Sequence, residues 1–315
     1  MAIALYGAHG FYTSGGSAGR RGDFLTSPEV GPLFGAVVAR WIEAEFRRLG
    51  EPSDFRIVEA GAGPGTLARS ILLAAPQVTD RYATVEISAA QRLKHPAGVQ
   101  VLGEMPEEPF VGVILANELL DNLPFRLAVF DGGWREAVVE VAPDGAVSER
   151  LLPAPQGWTL LPVSAPHGAR APIQSAAAEW VHNAQSLLTA GTLLSFDYFT
   201  ARTSTLALRP WREWLRTYRG HERGGHYLRD IGQQDITTEV SLDQLPEPHA
   251  VRTQAQFLQR WDVEALVDEG RTVWEQSAAA PTLAALRMRS RVREAESLLD
   301  PTGLGSFLAV EWLTN

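Results

Sequence analysis

The chain contains no cysteine. Disulfides, thiolate zinc sites and cysteine nucleophiles are therefore excluded, and a reducing, cytoplasmic setting is the expectation that fits. Positive charge is scarce. Lys and Arg number 28 against 37 Asp and Glu, a net charge of −9. That balance gives no domain-wide basic footprint for nucleic acid; it favours a cationic substrate or a basic protein. No apolar run reaches the roughly 18 residues of a membrane span. The N-terminus shows no secretory pattern, and no repeat or long low-complexity tract is present. His221 and His226 have no H-E-x-x-H or other paired ligand spacing around them, so no metal site is expected. The expectations are no metal, no nucleic acid and no membrane, with a homodimer left open.

What is present is an ordinary globular composition over 315 residues, enough for a sizeable core. Residues 1–32 are glycine-rich and irregular, with Phe11, Tyr12, Phe24 and Leu25 as docking side chains. From Phe34 to Leu49 apolar residues recur at helical spacing, and Gly50 and Pro52 end the helix. Short apolar runs at 55–61, 81–88 and 99–102 read as strands, and 110–124 as a fourth strand running into a loop, separated by the helical stretches TLARSILLAAP and AAQRLKHP. This alternation predicts a parallel, doubly wound α/β sheet. The rhythm then changes. Residues 125–152 read as antiparallel hairpins with DGG and PDG turns, and 162–172 as a proline-rich connector. Residues 173–191 read as a helix capped by Gly191, and 192–199 as a fifth core strand. Residues 200–248 read as an inserted lid or substrate wall. A further strand and helix follow from 249, then a helix with Pro281 near its start, then a last strand at 305–313. The partition expected is an N-terminal extension and helix (1–52), a core with a hairpin insertion (53–199), the inserted segment (200–248) and the C-terminal part of the core (249–315).

The stretch EAGAGPGTL (59–67) stands where a doubly wound fold carries its ligand, after the first strand and before a helix. Gly61, Gly63 and Gly65 allow a tight turn and close approach of backbone to ligand. The spacing is G-x-G-x-G, not the dinucleotide pattern G-x-G-x-x-G, which disfavours a nicotinamide oxidoreductase. Glu59 precedes the loop and suits a ligand with a positive amino group. Glu86 ends the second strand, where an acid accepts from ribose hydroxyls. An amino acid joined to adenosine meets both needs, which points to S-adenosylmethionine; the alternative is a glycine turn with structural acids.

Four blocks, GDFLTSPEVGPLFG (22–35), VEAGAGPGTLARSIL (58–72), ATVEIS (83–88) and ANELLDNLPF (116–125), together resemble the MidA-like S-adenosylmethionine-dependent methyltransferases. GQQDITTEV (232–240) and TQAQFL (253–258) are similar to later blocks of the same family. The resemblance implies a class I, Rossmann-like, seven-stranded sheet with an N-terminal extension and a lid-like insertion. It implies S-adenosyl-L-methionine as cofactor, held by Thr26, Ser27, Glu59, Gly61, Gly63, Gly65, Glu86, Ile87, Asn117 and Glu118. The family's mitochondrial members are associated with respiratory complex I and methylate an arginine of one of its subunits. The family's glycine loop is usually more polar, with Pro and Arg where this chain has Ala62 and Pro64.

Methyl transfer is an in-line displacement with a good leaving group, so alignment is the protein's main task, worth about 7–11 kcal/mol in favourable cases. Asn117, Glu118 and Asp121 follow the fourth strand. Asn117 is placed to bond cofactor or substrate. Glu118 and Asp121 are three apart, so one helical turn would aim both at one pocket and hold a guanidinium bidentately. The alternative is that Asp121 caps the loop before Pro124. Asp23 reads equally as a substrate-side acid or a structural one. Ser27-Pro28-Glu29 reads as a helix start with Ser27 as cap. Asp197 and Tyr198 end the fifth strand, Tyr198 packing or lining the acceptor. Asp235 and Thr237 close on the substrate or cap a turn. The arginines at 287, 289, 291 and 293 read as a solvated helix face, and Trp41, Trp211, Trp214, Trp261 and Trp274 as packing. The acceptor expected is a protein arginine. A small-molecule or peptide N- or O-acceptor, and a catalytically silent assembly factor of the same fold, are the competing readings.

Overall fold

A computed structural model describes residues 1–13, 26–220, 222–280 and 282–315. Asp23, Phe24, Leu25, His221 and Pro281, singled out above, lie outside the described residues. The chain forms two units: Met1–Gly16, Leu119–Asn183 and Asp197–Glu247 make the smaller, and Ser17–Glu118, Ala184–Phe196 and Pro248–Asn315 the larger. The hairpin segment and residues 200–247, separate in the partition read from sequence, lie in the smaller unit, and Pro248 in the larger.

The larger unit is built on seven strands: β1 (Arg56–Ala60), β2 (Tyr82–Val85), β3 (Gln100–Leu102), β4 (Phe110–Asn117), β5 (Leu188–Asp197), β6 (Ala250–Thr253) and β7 (Leu308–Thr314). Their order is β6-β7-β5-β4-β1-β2-β3. β1 pairs in parallel with β2 and β4, β2 with β3, and β4 with β5, while β6 is antiparallel to β7. The chain runs outward from β1 to β3 and returns to β4 on the other side of β1. The crevice beyond the C-terminal ends of β1 and β4 is therefore the topological switch point, where such sheets bind ligands. β4 is buried through Val113, Ile114, Leu115 and Ala116, the continuous apolar run of a strand covered on both faces.

The helices of this unit are α1 (Pro32–Arg48), α2 (Thr66–Ala74), α4 (Gln254–Arg260), α5 (Val263–Ser277) and α6 (Leu283–Leu299); α3 (Ser175–Ser186) begins in the smaller unit. The helical spacing read from Phe34 onward lays Phe34, Val38, Trp41 and Ile42 of α1 into one core with Ile57, Leu115, Phe196 and Phe257. Phe196 meets Phe34 and Phe257 edge-on, each pair with centroids 5.0 Å apart. Two polar groups of this core are paired: Trp41 Nε1 donates to Glu311 at 3.0 Å, and the Glu45 carboxylate takes Arg48 and the Thr192 hydroxyl. On α6, Arg287, Arg289 and Arg293 are exposed as expected, whereas Arg291 bridges back to Glu269 of α5.

Two differences from the sequence reading have clear causes. Gly191 does not cap a helix. α3 ends at Ser186, and Gly191 lies inside β5 opposite Gly112 of β4. Its φ is +147°, that of Gly112 +155°. A Cβ on Gly191 would collide with the Gly112 carbonyl oxygen, and one on Gly112 with that of Arg56. Glycine is needed here for close passage of β1, β4 and β5. A buried apolar run directly after a helix has no period of its own to mark the change. The second difference is Arg170–Ile173, read as connector, which forms an edge strand where proline is tolerated.

The smaller unit holds a four-stranded antiparallel sheet in the order Val147–Pro153, Trp134–Val141, Arg126–Phe130, Arg170–Ile173. The expected turns are present, with Gly132 and Gly145 at φ +65° and +85°. A second sheet pairs Leu215–Arg219 with Glu222–Arg223 and Asp235–Thr238. Phe11, Leu127, Leu206, Trp214 and Ile236 pack together. Among the described residues no helix is long and apolar enough to cross a membrane.

Gly191→Ala is expected to destabilise the protein by at least about 3 kcal/mol through overpacking against backbone. Gly145→Ala, in an open turn, is expected to cost about 1 kcal/mol. Urea midpoints of the two variants measure the difference.

Candidate functional site

The loop after β1 alternates strained and ordinary positions. Gly61, Gly63 and Gly65 have φ of +66°, +51° and +75°, values that glycine adopts without penalty. Nothing lies within 4 Å of where a Cβ on Gly63 would sit, so the backbone there faces open space. Gly65 starts α2 without a side-chain cap, leaving the helix N-terminus to the loop. Glu86, at the end of β2, accepts from Gly63 N at 2.9 Å through one oxygen and from Ser88 N at 2.7 Å through the other. Burial lifts its carboxyl above the ordinary range, and the two amide bonds oppose that lift. Each oxygen keeps a second lone pair for a donor. Because a carboxylate already holds the loop amide that a pyrophosphate would require, this turn fits a nucleoside with hydroxyl and amino groups better than a dinucleotide.

His95, which the sequence reading passed over, supports the loop from outside. Its Nε2 lies 2.8 Å from Gly63 O and its Nδ1 2.8 Å from Thr84 Oγ1. A carbonyl only accepts, so Nε2 carries a proton. Arg92 donates to the carbonyls of Glu86 and Ile87 at 2.6 and 2.9 Å, fixing the turn after β2. Ile87 is 50% exposed, an apolar side chain beside the carboxylate.

Glu59 is only 4% exposed and lies behind this turn. It accepts from the Tyr82 hydroxyl at 2.7 Å and from the Ala68 amide of α2. Burial pushes its carboxyl up to about 7, with Tyr82 pulling the other way. It serves the turn by tying α2 to β2.

At the end of β4, Asn117 Oδ1 is buried with no hydrogen-bond partner, as is Ser88 Oγ near Glu86. Asn117 Nδ2 is 3.4 Å from Glu118 Oε1. Glu118 has φ +49°, a left-handed conformation that costs a non-glycine residue on the order of 1 kcal/mol or more. Its amide is held by Phe196 O at 2.8 Å. The helical turn expected to carry Glu118 and Asp121 together is absent: a single 3₁₀ turn spans Leu120–Asn122, and Glu118 stands outside it. Ser27 is not a cap. Thr26 occupies the cap position, and the buried Ser27 hydroxyl donates to Gln254 at 2.7 Å. Glu29 of the same turn accepts from Thr66 at 2.5 Å.

The smaller unit gathers three buried acids. Asp197 accepts from Leu120 N at 2.9 Å and Asp121 N at 3.3 Å, so it caps the turn that the sequence reading offered to Asp121. Asp121 takes the Thr237 hydroxyl on Oδ2, while its Oδ1 has no partner. Asp235 accepts from Tyr12 at 2.9 Å and from Asn122 at 3.2 Å. Burial first, then Asp197 and Asp235, hold the Asp121 carboxyl well above the carboxylate range. A buried acid with one free oxygen suits a cation that brings its own N–H donors.

Comparisons with known proteins follow the same lines. A family described as S-adenosyl-L-methionine-dependent methyltransferase matches residues 37–259. The mitochondrial protein arginine methyltransferase NDUFAF7 homolog of Drosophila melanogaster is 33% identical over 171 residues, 44% of this chain and 39% of that protein. The human protein arginine methyltransferase NDUFAF7 is 27% identical over 184 residues, 47% of this chain and 42% of its own length. The match thus spans about two fifths of these curated relatives. A crystal structure of a Burkholderia thailandensis protein bound to S-adenosyl-homocysteine is 26% identical, with a TM-score of 0.81 over 98% of this chain and 85% of that one.

Native Glu59 keeps its proton up to about pH 7, and the unfolded chain releases it near the ordinary glutamate value of 4.5. The unfolded state binds fewer protons between these values, so this group makes stability fall as pH rises through that window, by about 3 kcal/mol in all. Glu59→Gln removes that loss. Denaturation from about pH 4 to about pH 8 should show the variant gaining about 3 kcal/mol on the wild type; parallel curves would refute the assignment.

Proposed function

The chain belongs to the family of S-adenosyl-L-methionine-dependent methyltransferases, and we propose that it methylates an arginine side chain of a protein. The cofactor is held by the ends of β1, β2 and β4. Glu86 accepts from the ribose hydroxyls, and the open backbone at Gly63 takes the amino-acid end. Ile87 gives the base an apolar surface, and the orphaned Asn117 Oδ1 accepts from the cofactor's N–H groups, beside Glu118. Glu59 acts from behind by holding α2 in place, and Thr26 and Ser27 fix the segment before α1. When bound, the cofactor supplies a methyl group on a sulfonium that leaves as a neutral thioether.

The observation that carries the arginine reading is Asp121, 3% exposed with Oδ1 unpartnered. A guanidinium stays charged at neutral pH, and its nitrogens are poor nucleophiles. Paired with Asp121, it satisfies the free oxygen and relieves the repulsion from Asp197. Its charge is then drawn toward the paired nitrogens, leaving the remaining one more able to attack, and the proton that nitrogen sheds on methylation passes to the Asp121 carboxylate. The proton that burial keeps on Asp121 is released as the cation binds. The names of the relatives, protein arginine methyltransferases, support the same acceptor.

Glu86→Ala is expected to weaken binding of S-adenosylmethionine at least tenfold, from the loss of about 1.5–3 kcal/mol of charged hydrogen bonding, by titration calorimetry. Asp121→Asn should keep that affinity within a few-fold and lose methyl transfer to arginine, read by mass spectrometry after incubation with labelled cofactor and host lysate. Transfer retained at the wild-type rate would remove Asp121 from the acceptor site.

A further inference from the structure

The segment from Arg209 to Arg229 holds six arginines and two glutamates, in a chain whose net charge is −9. Within the smaller unit it surrounds a cavity of about 710 Å³. Arg212, Arg216, Arg223 and Arg229 line it together with Trp211 and Tyr227, and no Asp or Glu is among the described lining residues. The acids nearby are engaged elsewhere. Glu149 takes both nitrogens of Arg170, at 2.8 and 2.7 Å, and the Tyr227 hydroxyl. Glu239 is held by Arg209 at 2.8 and 2.9 Å and also reaches Arg216 at 3.3 Å. Glu213 lies 3.6 Å from Arg209. Glu222 and Asp230 are exposed and do not line the cavity.

Among the described residues, Arg212, Arg223 and Arg229 have no carboxylate partner, and all three are exposed. The Arg212 guanidinium lies 4.8 Å over Trp211, and that of Arg170 lies 5.1 Å over the same ring. Burial first, then these arginines, push the His226 imidazole below its usual value, against the pull of Glu149. Three guanidinium groups without a carboxylate partner around one hollow repel each other, and an anionic guest relieves that repulsion. The volume is within the range of ligand-binding clefts and exceeds what one carboxylate or phosphate fills.

We propose that this cavity docks an acidic stretch of the acceptor protein, two or three Asp or Glu side chains entering over Trp211. The proposal rests on the reading of the chain as a protein methyltransferase and adds the recognition element on the acceptor. In a chain whose net charge is −9, a cluster of unpaired arginines attracts an acidic partner to this place and orients it.

The test is fluorescence anisotropy of a fluorescein-labelled hexaglutamate peptide, with labelled hexaglutamine as control. Hexaglutamate is expected to bind at least tenfold tighter than hexaglutamine, and to weaken as salt rises. Arg212→Glu with Arg229→Glu should weaken it a further tenfold or more, and the paired change to Gln by an intermediate amount. Both variants should melt like the wild type and keep their affinity for S-adenosylmethionine within about twofold, since these side chains are exposed. Equal binding of the two peptides, or charge reversal without effect, overturns the proposal. So does displacement of hexaglutamate by inorganic phosphate at or below the peptide's own dissociation constant, which would mark a phosphate site. A wild type that binds hexaglutamate but not S-adenosylmethionine would support the docking site and overturn the methyltransferase reading instead.

Discussion

The site of the larger unit depends on a carboxylate holding a glycine amide. Glu86 reaches from the end of β2 to Gly63 and binds Ser88 N with its other oxygen. That arrangement sets the curvature of the turn after β1 and keeps an anionic acceptor beside open backbone. His95 on Gly63 O and Glu59 behind α2 hold the same few atoms from other sides. The turn is thus clamped by side chains from β2, from the loop before β3 and from β1 itself. A turn built around a carboxylate discourages phosphate and leaves acceptors for hydroxyl and amino groups, which is why the family's cofactor suits it.

The acids of the smaller unit follow a different logic. Asp121, Asp197 and Asp235 are all nearly inaccessible, and burying three carboxyls together is costly unless they are bonded or protonated. Asp197 satisfies itself on backbone amides and Asp235 on Tyr12 and Asn122. Asp121 is left with the unsatisfied oxygen. The three are therefore not equivalent, and the difference comes from what each accepts.

Much of the larger unit was legible in the sequence because its cues are local. The three glycines, the acid ending β2 and the apolar strands each carry their meaning within a few residues. The supports were not legible. His95 is a single imidazole after a short helix, and only the pairing of β2 with β1 brings it to Gly63. Tyr82 and Glu59 meet across adjacent strands, a relation that register decides and spacing does not. The cap of the 120–122 turn comes from Asp197, a residue distant in the chain, so the local Asp-before-Pro signal pointed to Asp121. The end of α3 was misplaced because the apolar run of β5 follows it with only Leu187 between. The neighbours of Ser27 carry a cap signal, while its hydroxyl is used by Gln254.

The order of the strands bears on how the polypeptide matures on the ribosome. β4 emerges by Asn117, but its neighbour β5 is not synthesised until Leu188, and β7, which lies between β5 and β6, comes last. Through most of translation the nascent sheet has a bare, apolar flank with unpaired amides and carbonyls, the kind of edge that recruits foreign strands. Vectorial synthesis thus leaves β4 and then β5 waiting for the neighbour that covers them.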